Sequence, residues 1–168
     1  MNDKKIRKLV LAALLAALVC VATMVVQIPS PMQGYVNLGD CFVLLSGWLL
    51  GPWYGFAAAA TGSSLADIFL GYAHYAPGTL VIKGVMALVA ALMYEKMGRT
   101  ATSRIAGGVV SEIIMVLGYF GYASLLLGKG LAAAASIPGN IFQGAVGLVV
   151  GVLLVTVLER AKVTEKLA

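Results

Sequence analysis

Asp40, Asp67, Lys83 and Glu112 interrupt stretches of sequence that are otherwise almost wholly apolar. An ionisable side chain in hydrocarbon costs at least about 2.5–3.5 kcal/mol on insertion scales, so such groups persist when they are paired, lie in a polar cavity, or bind something. Tyr35, Asn37, His74, Tyr75, Tyr119, Tyr122, Asn140 and Gln143 fall near the same ends of the apolar runs. Aromatic faces supply stacking area, while a few amide and charged groups fix orientation. Together they suit a small planar heterocycle in an otherwise apolar pocket. Asn140 and Gln143 stand three apart, on one helical face, directly after Ser136, Ile137, Pro138 and Gly139.

Each of these residues also has a plainer role open to it. The tyrosines suit an interfacial aromatic belt. Asp67 and Lys83 suit an interhelical ion pair, and Glu112, about 10 Å deeper than Lys83 at the helical rise, is a second possible partner. Asp40 suits a first-turn acid facing a helix dipole. His74 falls in a loop open to solvent, and Asn140 and Gln143 could bond neighbouring helices. Catalytic signatures are missing: there is no phosphate-binding glycine loop, no zinc-protease motif, no nucleophile elbow, and the single histidine has no nucleophile beside it. Cys20 and Cys41 belong to no Cys/His cluster, so neither a metal site nor a disulfide is expected. No catalytic residue and no cofactor is assigned.

The elements that must position these groups follow from composition. Of 168 residues, 61% are hydrophobic and 11% charged, against roughly 45–50% apolar in soluble domains. At about 20 residues per crossing, the length holds six spans and short connections. Apolar runs and their breakers predict an all-α integral membrane protein, one domain over residues 1–168, with helices at about 7–26, 39–50, 53–70, 77–97, 105–127 and 137–158. The first span follows a basic stretch like a signal peptide's, but it runs long without a small-residue cleavage site and reads as a retained helix.

Charge placement sets the expected orientation. Lys4, Lys5, Arg7, Lys8, Lys96, Arg99, Arg104, Arg160, Lys162 and Lys166 fall on one side of a six-span layout and Lys129 alone on the other. Positively charged loops stay in the cytoplasm, so both termini are predicted there. The net charge of +5 then reports membrane orientation, and no nucleic-acid partner is expected. The unusual polar groups fall mainly in the outer half. Ala12 with Ala16 and Ala13 with Ala17 repeat every four residues on helix 1, a spacing that lets another helix approach closely; Ala60, Ser64 and Gly71 make a similar stripe suited to packing inside the bundle.

Gly34 to Asp40 (GYVNLGD), the Gly51-Pro52 break, Gly62 to Asp67 (GSSLAD), and Tyr75-Ala76-Pro77 leading to Ile82-Lys83-Gly84 resemble the substrate-binding S components of energy-coupling factor (ECF) vitamin transporters. The resemblance is nearest to the riboflavin-type branch, to which Asn140 with Gln143 also correspond, and it covers almost the whole chain. It implies a six-helix S-component bundle that captures a vitamin or precursor from outside: riboflavin, a pyridoxine-type vitamin, or thiamine or its pyrimidine precursor. Tyr35, Asn37, Asp40, Asp67, His74, Tyr75, Lys83, Glu112, Asn140 and Gln143 are the candidate contacts.

The resemblance further implies a lid over about residues 27–36, where Pro29 and Pro31 stiffen the chain and Gly34 frees it. It implies a transmembrane coupling subunit docking on Ala12, Ala13, Ala16 and Ala17, two cytoplasmic ATPases, and delivery by toppling of the loaded subunit in the lipid. A membrane-embedded enzyme and a structural assembly protein are the competing readings. The former lacks a nucleophilic or acidic cluster, and the latter predicts no small-molecule ligand.

Overall fold

The computed structural model describes residues 3–30, 34–162 and 164; Pro31 and Lys166, both used above, lie outside the described residues. Six α-helices form the bundle: α1 (Asp3–Val25), α2 (Gly39–Leu50), α3 (Pro52–Phe69), α4 (Ala76–Lys96), α5 (Ala101–Gly121) and α6 (Ile137–Arg160). The segment after α1 is a β-hairpin rather than an irregular loop. Strand β1 (Gln27–Ser30) pairs antiparallel with β2 (Gly34–Asn37), Ile28 opposite Val36 and Pro29 opposite Tyr35. Proline is tolerated because each strand has a free edge.

Four of the helical stretches are long and apolar enough to cross a bilayer unaided, those containing α1, α4, α5 and α6. Helix α2, with 12 residues, is only about 18 Å long against a hydrocarbon core of about 30 Å. The hairpin precedes α2 directly, so α2 starts well inside the bundle. Helix α3 carries Thr61, Ser63, Ser64 and Asp67, and all of these but Thr61 are buried among neighbouring helices. Polar α3 and short α2 are thus the shielded centre of the bundle, with Val43, Leu44 and Ser46 fully buried.

Small residues bring this centre together. A Cβ at Gly55 would meet the Gly47 Cα at 2.8 Å; one at Gly47 would strike the Ala87 carbonyl oxygen, and one at Gly62 the Ala16 carbonyl oxygen. Lipid tails are as apolar as the side chains, so close backbone contact, rather than expulsion of water, is what holds such helices together. Ala12 is buried, and Ala16 packs on α3 at Gly62, whereas Ala13 and Ala17 are exposed. Of the four alanines expected to receive a coupling subunit, Ala13 and Ala17 thus lie on the exposed face of α1, while Ala12 and Ala16 turn toward the bundle.

Helix ends follow local chemistry. Gly51 ends α2 and precedes Pro52 at the first turn of α3, with φ 80° and ψ −176°, a conformation essentially reserved for glycine. A one-residue reversal between two helices needs it. Helix α5 starts at Ala101, ahead of the expected Ile105, because Thr100 caps it. The Thr100 hydroxyl accepts from the Ser103 N–H (3.1 Å), and the Ser103 hydroxyl accepts from the Thr100 N–H (2.9 Å). Beyond α5 the chain continues through a π turn (Tyr122–Leu126) and a 3-10 segment (Gly130–Ser136), which leads into α6.

At the end of the bundle opposite the hairpin, one guanidinium joins four helices. Arg104 of α5 donates to both carboxylate oxygens of Glu159 on α6 (2.6 and 3.2 Å) and to the Tyr94 hydroxyl on α4 (2.6 Å). It also lies 5.8 Å from the Trp48 ring centroid of α2. A Gly47→Val substitution should lower the apparent melting temperature in detergent by an overpacking cost of about 1–3 kcal/mol. Gly121→Ala, where an added Cβ meets nothing within 4 Å, should leave it unchanged.

Candidate functional site

Lys83 of α4 and Asp40 at the start of α2 form a buried ion pair, with 3% and 0% side-chain exposure. The second Asp40 oxygen accepts from the Gln143 Nε2 of α6 at 2.7 Å. Gln143 Oε1 in turn accepts from the Asn37 backbone N–H (2.9 Å) and from Asn37 Nδ2 (3.3 Å), and Asn37 Oδ1 accepts from the Gly39 N–H (2.8 Å). One chain of bonds therefore runs from α4 through α2 and α6 into the hairpin. It answers the cost of burying both charge and strand backbone at this depth. The sequence pointed Lys83 toward Asp67 or Glu112; its carboxylate is instead Asp40, which the hairpin places at the level of Lys83.

Between this network and the hairpin lies a cavity of about 50 Å³, room for a few waters by volume. Tyr35, Asn37, Asp67, Tyr75, Lys83, Asn140 and Gln143 line it, so seven of the ten candidate contacts converge on one space. Asp40 stands behind the wall, held by Lys83 and Gln143. His74 does not reach the cavity. It is exposed on the loop before α4, its ring tilted against that of Tyr75 with centroids 4.8 Å apart, and its backbone carbonyl accepts from Tyr122 Oη. Nor does Glu112 line it: this carboxyl is 7% exposed, packs against Gly144, and has no hydrogen-bond partner for either oxygen among the described residues.

The hairpin meets the cavity through Tyr35. Tyr35 Oη donates to Asp67 Oδ1 at 2.6 Å, and its ring lies 4.8 Å from that of Tyr72. Tyr75 extends the aromatic wall toward Tyr119 (6.3 Å) and Tyr122 (6.1 Å). Tyr119 pairs with the Thr79 hydroxyl at 3.0 Å, and the Lys83 ammonium lies 5.4 Å from its ring centroid.

Thr23, Ser63, Thr79, Tyr119 and Ser136 also line the cavity and were not among the ten sequence candidates. Ser63 carried a usable signal: it stands one helical turn before Asp67, within the same GSSLAD segment. Thr23 carried none, since it lies in a run of apolar helix whose facing could not be read.

A bundle of apolar helices, closed at one end by a hairpin over a cavity of aromatic, amide and carboxylate groups, defines a multi-pass membrane protein that binds a small molecule. Over residues 3–160 the chain matches the ECF-type riboflavin transporter S-component family, and it belongs to that family. Members are transporter components and not enzymes; membership implies a small-molecule substrate and an energy-coupling module as partner. A Pyrococcus woesei protein encoded in a gap 3' region is 42% identical over 135 residues, covering 79% of this chain and 88% of the relative. The thiamine precursor transporter HmpT of Lactococcus lactis subsp. cremoris is 28% identical over 162 residues, covering 95% and 92%. The solved S component of a bacterial ECF transporter superposes with a TM-score of 0.76 at 23% identity over 93% of this chain and 97% of that one, a likeness of fold.

A Lys83→Met substitution strands the Asp40 carboxylate inside the bundle. It should destabilise the protein by about 3–5 kcal/mol, seen as a large drop in detergent melting temperature. The double change Lys83→Met with Asp40→Asn should recover much of that loss.

Proposed function

We propose that this chain captures a single-ring vitamin or vitamin precursor for an ECF importer, with the pyrimidine precursor of thiamine as the first candidate. The observation that carries this reading is the cavity beneath the hairpin. Its roughly 50 Å³ is far below the ~300–1,000 Å³ of pockets for drug-sized ligands, so a one-ring compound enters with the least displacement of the hairpin. The 28% identity to a thiamine precursor transporter over nearly the full length supports the same choice. Riboflavin is the second reading, favoured by the family match over residues 3–160; a tricyclic flavin requires the hairpin to move much further.

Capture occurs from outside, with the hairpin as lid and both termini in the cytoplasm. Support for that orientation comes from the gathering of basic residues at the end away from the hairpin, including Lys8, Lys96, Arg99, Arg104 and Arg160. The loaded subunit then topples against a transmembrane coupling subunit, and two cytoplasmic ATPases drive release inside. Ala13 and Ala17, exposed on α1, are the alanines left to receive that coupling subunit.

Purified protein should be stabilised in a thermal shift by 4-amino-5-hydroxymethyl-2-methylpyrimidine, by about 2.7 kcal/mol at a hundredfold excess over Kd, and mass spectrometry of a denatured extract should find the same compound. A yellow, flavin-fluorescent preparation selects the riboflavin reading, and no response to any vitamin-class ligand rejects both. Ala13→Leu with Ala17→Leu should reduce co-purification with the coupling subunit and leave ligand stabilisation intact. Ala12→Leu should lower the melting temperature of the isolated protein.

A further inference from the structure

Most hydroxyls with a hydrogen bond in these helices donate it back to their own backbone. Ser46 bonds the Phe42 carbonyl, Thr61 that of Ala57, Ser64 that of Ala60, and Thr156 that of Val152, each at 2.7 Å. Ser111 does the same with Gly107 at 2.8 Å. Thr23 and Ser63 break the pattern. Each is 3% exposed, and neither hydroxyl has a partner among the described residues. Asp67, also 3% exposed, spends Oδ1 on Tyr35 and leaves Oδ2 unpartnered. Thr79 also turns its hydroxyl toward Asp67, and it shares a 3.0 Å bond with Tyr119 Oη in which either oxygen can donate.

All three residues line the cavity beneath the hairpin. Ser63 and Asp67 are one helical turn apart on the same face of α3, with Thr23 on neighbouring α1. Most other polar groups around the cavity are taken: both Asp40 oxygens are bonded, Gln143 is bonded through oxygen and nitrogen, and Asn37 Oδ1 holds Gly39, while Asn140 of α6 also turns its amide to the space. Buried polar atoms without partners are uncommon, and each carries a desolvation cost that a complementary group removes.

We propose that Thr23, Ser63 and Asp67 form the hydrogen-bonding face for substrate, and that this face selects an aromatic heterocycle bearing an exocyclic amine next to a ring nitrogen. The proposal rests on the reading of the chain as a vitamin-binding subunit. The amine donates to Asp67 Oδ2, and the ring nitrogen accepts from a hydroxyl, Ser63 being one turn away. A carboxylate beside a hydroxyl is an acceptor beside a donor, the complement of an aminated ring edge and the mismatch of the corresponding oxo edge. The Asp40, Lys83, Gln143 and Asn37 network holds the hairpin and is not the recognition surface.

The test uses the full chain in detergent, with two probes measured by calorimetry: 4-amino-5-hydroxymethyl-2-methylpyrimidine and its 4-oxo analogue, which replaces the amine with a carbonyl. Wild type should prefer the amine at least about tenfold, the scale of one hydrogen bond to a charged group. Asp67→Asn keeps an acceptor for Tyr35 and presents an NH₂ where Oδ2 stood, so it should weaken the amine at least about tenfold and shift preference toward the oxo analogue. Ser63→Ala should weaken the amine severalfold. Ser63→Ala should not lower the ligand-free melting temperature, because the Ser63 hydroxyl makes no bond among the described residues, whereas Asp67→Asn trades the charge-assisted Tyr35 bond for a weaker neutral one and should lower it slightly. If wild type binds the amine but both variants bind it as wild type does, or the preference does not move with Asp67→Asn, the recognition face is wrong while the vitamin-binding reading stands. If wild type binds neither these probes nor any other vitamin-class ligand, the underlying reading fails first.

Discussion

A lysine and an aspartate buried against each other in a hydrocarbon setting constrain everything around them. Separately, each charge would cost several kcal/mol at that depth; together, Lys83 and Asp40 still require further donors for the carboxylate, and Gln143 supplies one. That requirement fixes the facing of α6 relative to α2. It also sets where α2 starts, since Asp40 must reach the level of Lys83. A helix starting that deep is too short to cross alone, and the rest of the distance falls to the hairpin, whose own backbone is tied down by Gln143 through Asn37. The position of the hairpin is thus a consequence of the ion pair as much as of its own strands.

The two walls of the cavity divide labour in a way that the electrostatics make intelligible. A bond network closed on itself stabilises a shape but has little left to offer a ligand. Unpartnered groups offer a great deal and cost stability while they wait. Here the closed network lies on α2, α4 and α6, and the buried unpartnered atoms of the cavity lining lie on α1 and α3, with the Asn140 amide of α6 also turned to the space. Placing the costly groups on α3 is workable because the surrounding helices shield it from lipid on several sides.

The helices were legible because 20-residue apolar runs punctuated by Gly-Pro and Pro have few other readings. Gly51-Pro52 marked the junction of α2 and α3, with α2 ending at Leu50 as expected and α3 starting one residue ahead of the expected Trp53. The start of α5 was also written in the sequence, as Thr100 and Ser103, but in a capping box with serine in place of the more familiar acid or amide. The hairpin was not legible: its strands have four residues each, include a proline, and show no long alternation. Missing it hid the correct partner of Lys83, since depth along α2 depends on how much chain the hairpin consumes. Seven candidate contacts converged because polar residues at one end of several spans have few places to go. Thr23 and Ser63 stayed hidden because helical hydroxyls ordinarily satisfy themselves, and only geometry reveals the ones that do not.

The Arg104 cluster gives the molecule unequal stiffness along its length. Four helices share one guanidinium at the end away from the hairpin, while the other end is closed by a two-stranded ribbon, a unit with little stability of its own in isolation. Thermal opening is therefore confined to one mouth. Exchange of solute between cavity and surroundings becomes a local event that leaves the helix-to-helix frame undisturbed, and its rate can change through residues of the ribbon without altering the stability of the bundle.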